Sequence, residues 1–186
     1  MKKIGYIREL FGSMLLPFKS KKIERLTRVH NLSSAQKIGV IFDATDQHTH
    51  KAVAEFTNTL RHTHNIDVDT LAFIQKKELL TAFQDQTGFH YFSKKDFNMF
   101  GLAKSHHIID FITTKYDILI DLSLENAYPF NYITALSEAE YIVGRFTEKQ
   151  KNHDLMIDIR KDTQIEFFLS QILIYLSMIQ VSKKKS

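Results

Sequence analysis

Four oxygen and nitrogen donors, Asp43, Asp46, His48 and His50, fall within eight residues of one another. They follow a short apolar run, Ile38–Phe42, and precede an amphipathic helical pattern, which is how a parallel α/β sheet usually begins. In such sheets ligands bind beyond the carboxyl ends of the strands, where these four side chains would lie. Asp121, near the end of the apolar run Tyr116–Leu122, would join them on that rim. The five residues are therefore the candidate ligand-binding set. No catalytic role is assigned to any of them, because acidic residues are common at strand ends.

Metal ligation is not expected of this group. His48 and His50 are two apart at a helix entrance and point in different directions, whereas helical chelating pairs sit three or four apart. Asp46 is placed to cap the helix that follows. Other chemistries lack their signatures. The chain has six glycines and none between Gly39 and Gly88, so neither a dinucleotide fingerprint nor a Walker A loop can form after the first strand. There is no GxSxG elbow and no cysteine, which removes disulfides, thiolate catalysis and Cys-ligated zinc. No cofactor is implied.

The elements that must position the five residues are read from periodicity. The helix Thr49–Thr63 and the strand Asp67–Ile74 complete a βαβ unit with the first strand. A short helix, Lys76–Phe83, and a strand, Phe89–Phe92, follow. Ser93–Gly101 then interleaves Lys94 and Lys95 with Phe97 and Phe100, a mixture that can stack bases and hold phosphates; packing of the aromatic side chains onto the core is the expected outcome. Leu102–Thr114 reads as a helix with Ala103, His107, Ile108, Phe111 and Ile112 inward. The strand Tyr116–Leu122, a helix from Pro129 to Glu138, and strands at Tyr141–Phe146 and Leu155–Ile159 come next. The last two strands are separated by a loop, Thr147–His153, expected to be solvated. The final helix, Thr163–Val181, is apolar around most of its circumference; it is expected to be clamped between the sheet and the N-terminal helices, with exposure to a second copy as the alternative.

These elements define an α/β fold, Rossmann-like or flavodoxin-like, with a mostly parallel sheet of five to six strands flanked by helices. With 186 residues, 44% of them hydrophobic and 15 of them Phe, the chain suits one packed domain. It divides into a basic helical arm over residues 1–30, a single α/β domain over 31–182 and a basic tail over 183–186. The arm has two helical patterns, Ile4–Leu16 and Lys21–His30.

Charge is unevenly spread. The net charge is +4, yet residues 1–30 hold eight Lys or Arg against two Glu, and Lys183, Lys184 and Lys185 add three more, so the middle is acidic at −5. Basic ends on an acidic globule can seek an anionic partner on their own. Lys19, Lys21, Lys22, Arg25, Arg28 and Lys183–Lys185 are the candidates for such contacts, with RNA, a nucleoprotein, an acidic protein or a membrane surface as the partner. A homodimer through the final helix is the other assembly considered. No signal peptide or transmembrane segment is expected, since Ile165–Val181 is short and interrupted by Glu166, Ser170 and Gln171, which fits a cytoplasmic protein.

The unit YDILIDLSLENAYPFNYITALSEAEYIVGRF, Tyr116–Phe146, resembles the strand–helix–strand segment in the N-terminal domain of heptosyltransferase-like glycosyltransferases. Those enzymes bind the nucleotide-sugar donor with a second domain. The resemblance thus implies an acceptor-half fold without its donor half, and no transferase activity. The whole chain also looks like a family of uncharacterised small bacterial α/β proteins. Two functions are expected in order. The first is a non-catalytic module docking on a protein or nucleoprotein through its basic termini. The second is a small enzyme or binding domain for a sugar, nucleotide or phosphorylated metabolite at the strand rim.

Overall fold

A computed structural model describes residues 9–10, 12–14, 16–17, 20, 25–75, 88–148 and 152–181. Its six strands are β1 (Lys37–Asp43), β2 (Asp67–Phe73), β3 (Phe89–Phe92), β4 (Ile118–Asp121), β5 (Tyr141–Arg145) and β6 (Leu155–Ile157). They form one sheet in the order β3-β2-β1-β4-β5-β6, with every neighbouring pair parallel. That is the doubly wound order, in which the chain leaves β1 in one direction and returns to β4 on its other side.

The two faces are covered by α1 (Gln47–His64), α2 (His106–Thr113), α3 (Tyr128–Leu136) and α4 (Ile165–Met178), among the described residues. Alternation along the strands decides which face each residue serves. Val40, Phe42, Val68, Ala72, Ile118, Ile120 and Val143 face α1 and α4, meeting Val53, Phe56, Leu60, Phe168 and Ile172. Ile41, Leu71, Phe73, Leu119 and Ile142 face α2 and α3, meeting Ile108, Phe111, Phe130 and Ile133. Both faces are buried, so the strands read as near-continuous apolar runs. α1 ends at Asn65 with φ 56°, a left-handed cap that Asn tolerates better than most residues.

Several expectations need correction. Residues 102–105 are not helical; α2 begins only at His106. Phe97 and Ala103 instead form an antiparallel bridge. Lys104 N–H donates to Asp96 O at 2.9 Å, Ala103 N–H to the Tyr132 hydroxyl at 3.3 Å, and the Tyr128 hydroxyl to Gly101 O at 2.6 Å. These tertiary bonds outweigh the weak helical pattern. Within this segment Phe97 is buried, as expected, but Phe100 and Met99 are exposed. His107, expected inward, is exposed and stacks on His90 at 4.9 Å.

Residues 25–30, expected as the end of a basic helix, carry no helix. Arg28 N–H donates to Glu140 O at 3.0 Å, drawing the segment along the amino-terminal rim of the sheet. The other expected helix of the arm is helical at residues 9–10, 12–14 and 16–17; the expected helix Lys76–Phe83 lies outside the described residues. α4 buries Ile165, Phe168, Leu169, Ile172 and Leu176 and exposes Ile174, Tyr175 and Met178. It is covered on one side rather than clamped: the N-terminal helix reaches the opposite face of the sheet, where Gly12 sits against the Tyr128 ring. Among the described residues, no helix is long and apolar enough to cross a membrane.

Candidate functional site at the carboxyl rim

The parallel sheet brings Asp43 and Asp121 to the same rim and the same sheet face. Ile41 pairs with Asp121, and Asp43 lies two residues beyond Ile41. Each carboxylate is committed locally. Asp43 Oδ1 accepts from Thr45 N–H at 2.9 Å, closing the turn into α1. Asp121 is 2% exposed; its Oδ1 accepts from Ser123 N–H at 2.9 Å and its Oδ2 meets His153 Nε2 at 3.1 Å.

The other three candidates diverge. Asp46 is the N-cap of α1, accepting from Thr49 N–H at 2.8 Å and from the Thr49 hydroxyl at 3.0 Å, and these bonds hold its carboxyl below the usual range. His48 turns outward to Glu166 of α4 at 3.1 Å. His50 turns inward, 3% exposed, where burial lowers its pKa below the ordinary 6.5. Its Nε2 shares a 2.9 Å hydrogen bond with the Tyr91 hydroxyl, and its ring lies nearly parallel to Tyr91. Burial pushes Tyr91 up to about 12, so both groups are neutral at pH 7. The His48 and His50 imidazoles thus face different neighbours, as two residues apart on a helix must.

His153 was not legible as a functional or buried residue. The chain entering β6 lays its imidazole over Gly144 of β5, where a Cβ would stand 2.7 Å from Nδ1 and 2.8 Å from Nε2. Gly144 is the strand partner of Asp121, so the missing side chain is what lets His153 reach the carboxylate. Both side chains of the pair are 2% exposed, and His153 Nδ1 is buried without a partner among the described residues. A glycine inside a strand pattern was the available signal, since it marks close approach of another group. Beside the pair, Arg145 Nε donates to Ser123 O at 3.0 Å.

One strand pair away, at the carboxyl ends of β2 and β3, lies an open cleft of about 710 Å³ lined by Ile74, Gln75, Tyr91, Ser93 and the ammonium-bearing Lys94, Lys95 and Lys104. Its floor is rigid. Ser93 caps the 3₁₀ turn Lys94–Asp96, and Asp96 returns the bond to Ser93 N–H in a capping box. Lys94 Nζ meets Glu9 at 2.7 Å. Lys95 and Lys104 are exposed at the mouth.

Of the anionic-partner candidates, Arg25 is engaged within the chain. It makes two 2.6 Å contacts with the Asp154 carboxylate and donates to Ala139 O and Glu140 O. Arg28 is exposed. Lys19, Lys21, Lys22, Lys183, Lys184 and Lys185 lie outside the described residues.

The strand order and the rim together define a doubly wound α/β protein without a glycine-rich phosphate loop. The chain belongs to a family of unknown function, DUF6913, whose model matches residues 15–179. No curated protein and no solved structure matches it.

Proposed function

We propose that this chain is a binding module for a phosphate-bearing small molecule, held in the cleft at the ends of β2 and β3. The observation that carries the reading is the convergence of Lys94, Lys95 and Lys104 on one cleft at the rim where open α/β sheets bind ligands. The exposed Lys95 and Lys104 raise the local concentration of an anion, with Lys94, which also meets Glu9, and the Tyr91 ring beside them. Among the described lining residues the carboxylate Asp96 is already occupied by Ser93. Binding is the role assigned. The glycosyltransferase-like pattern of Tyr116–Phe146, an acceptor-half pattern, adds a sugar phosphate as the class to try first.

Calorimetry with inorganic phosphate, a hexose phosphate and a nucleoside diphosphate tests this. One of them should bind saturably and more weakly as salt rises, and K95E/K104E should weaken it by more than about tenfold, equivalent to about 1.4 kcal/mol. Both lysines are exposed, so the variant should unfold at the parent's temperature. Equal affinity in parent and variant, or no binding of any of the three, would remove the reading.

A second reading, docking on a protein or nucleoprotein through the basic termini, is favoured by one observation: Arg28 stands exposed on the amino-terminal rim, away from the cleft. Charge reversal of Arg28 with Lys19, Lys21 and Lys22 should then abolish salt-sensitive RNA binding, while K95E/K104E leaves it intact.

A further inference from the structure

At the opposite rim of the sheet, Asp117 and Glu140 stand side by side. Each immediately precedes its strand, and β4 and β5 pair Ile118 with Tyr141, so the register forces the two carboxylates into adjacent positions. Glu140 N–H donates to Tyr116 O at 2.8 Å, which fixes that alignment. Like charges directly opposite on neighbouring strands are destabilising unless something offsets them. Two neighbouring cations are engaged elsewhere: Lys37 Nζ bonds Asp67 and Asp69, each at 3.0 Å, and the Arg25 guanidinium bonds Asp154.

What does face the two carboxylates is His30, whose side chain is 6% exposed. Its Nε2 lies 2.7 Å from Glu140 Oε2 and 4.0 Å from Asp117 Oδ1. The three ligand atoms all lie within 4.8 Å of one another. Asp117 is oriented from behind, because its Oδ2 accepts from Gln36 N–H at 2.7 Å and Lys37 N–H at 2.9 Å, leaving Oδ1 turned toward the histidine. Such outer bonds hold a metal-ligating carboxylate in place.

We propose that His30, Asp117 and Glu140 form a binding site for a divalent transition cation, with Zn²⁺ the best match. Imidazole nitrogen and carboxylate oxygen are both ligand types that zinc takes, and three protein ligands leave a fourth position for water. Ligand atoms about 2.0 Å from a tetrahedral ion stand roughly 3.3 Å apart. The separations here straddle that value, so small side-chain rotations complete the site. The two carboxylates balance the charge of the ion, and both are about 28–29% exposed, which gives the ion an entry path. The bound ion would tie residues 25–32 to the amino-terminal rim. This site is independent of the lysine cleft.

The test uses the full chain, stripped with chelator and titrated with ZnCl₂ in phosphate-free buffer. One ion should bind per chain, and the melting temperature should rise with Zn²⁺ and fall back with EDTA. E140Q keeps a hydrogen-bonding group toward His30, and D117N keeps an acceptor for the backbone N–H groups, so both should fold. Each should weaken Zn²⁺ binding by more than about tenfold, the lower end of what losing even an outer-shell partner costs. H107Q, which breaks the stacked His90–His107 pair, should bind as the parent does. No binding by the parent, unchanged affinity in both E140Q and D117N, or loss in H107Q alone would overturn the proposal.

Discussion

Replacing His153 by Ala strands the Asp121 carboxylate, 2% exposed, with Ser123 N–H as its remaining protein partner. Removing one member of a buried pair costs about 3–5 kcal/mol, because the other is left desolvated without its counterpart. For a chain of this size, about 2–4 °C per kcal/mol makes that a fall of roughly 6–20 °C in melting temperature. The structure supplies an internal check. A Cβ at Gly144 would run into the His153 ring, within 2.7 Å of Nδ1 and 2.8 Å of Nε2, so G144A should cost about 1–3 kcal/mol through overpacking. With the ring gone, the same methyl fills vacated space, and G144A in the H153A background should cost less than about 0.5 kcal/mol, the scatter seen between uncoupled sites. Urea unfolding of the parent, the two single variants and the double variant gives the coupling directly. If G144A costs the same in both backgrounds, or H153A costs under about 1 kcal/mol, then His153 does not lie over Gly144 and the pair with Asp121 is not what holds the rim.

Two further outcomes follow from single residues. His50 has a lowered pKa because it is buried, so the unfolded chain takes up its proton first as pH falls; its contribution is complete above about 6.5 and is lost as pH drops from there through the folded value. The stability of H50Q should therefore depend less on pH than the parent's over that window, measured by urea unfolding at a series of pH values. D46A removes the N-cap of α1 and should cost about 1 kcal/mol at neutral pH. Because the cap bonds lower the pKa of Asp46, that difference should be present above about 3.8 and shrink as pH falls through the folded value.

Much of the fold was legible because it rests on local patterns. The alternation of Val68, Thr70, Ala72 and Ile74 with Asp69, Leu71 and Phe73 announces a strand buried on both faces, and β2 is that strand. Asp46 as a cap was legible for the same reason, since Thr49 lies three residues away. What was not legible depends on long-range contact. Residues 102–105 have a helical pattern, but the hydroxyl of Tyr132, 29 residues on, holds them extended. Residues 25–30 alternate as a helix would, but Glu140 and Asp154 pull them straight. His153 reads as part of a polar loop until β5 supplies a strand position without a side chain. The Asp117–Glu140 adjacency needs the β4–β5 register, which no segment contains by itself.

The lysine cleft sits away from the place where doubly wound sheets most often bind ligands, and charge gives a reason. That place is the switch point between β1 and β4, where the chain departs to opposite faces. Here its rim carries Asp43 and Asp121, both on the same sheet face, and its backbone is closed by Leu122 N–H donating to Ile41 O at 2.9 Å. The carboxylates face no glycine-rich turn, so the N–H groups that would cradle a phosphate are missing while two acidic side chains stand nearby. On the proposed reading, an anion at this rim is disfavoured beside β1 and β4 and favoured beside the lysines of the cleft at β2 and β3. An acidic switch point without a glycine-rich turn is therefore the physical reason for placing the proposed phosphate site at the neighbouring strands.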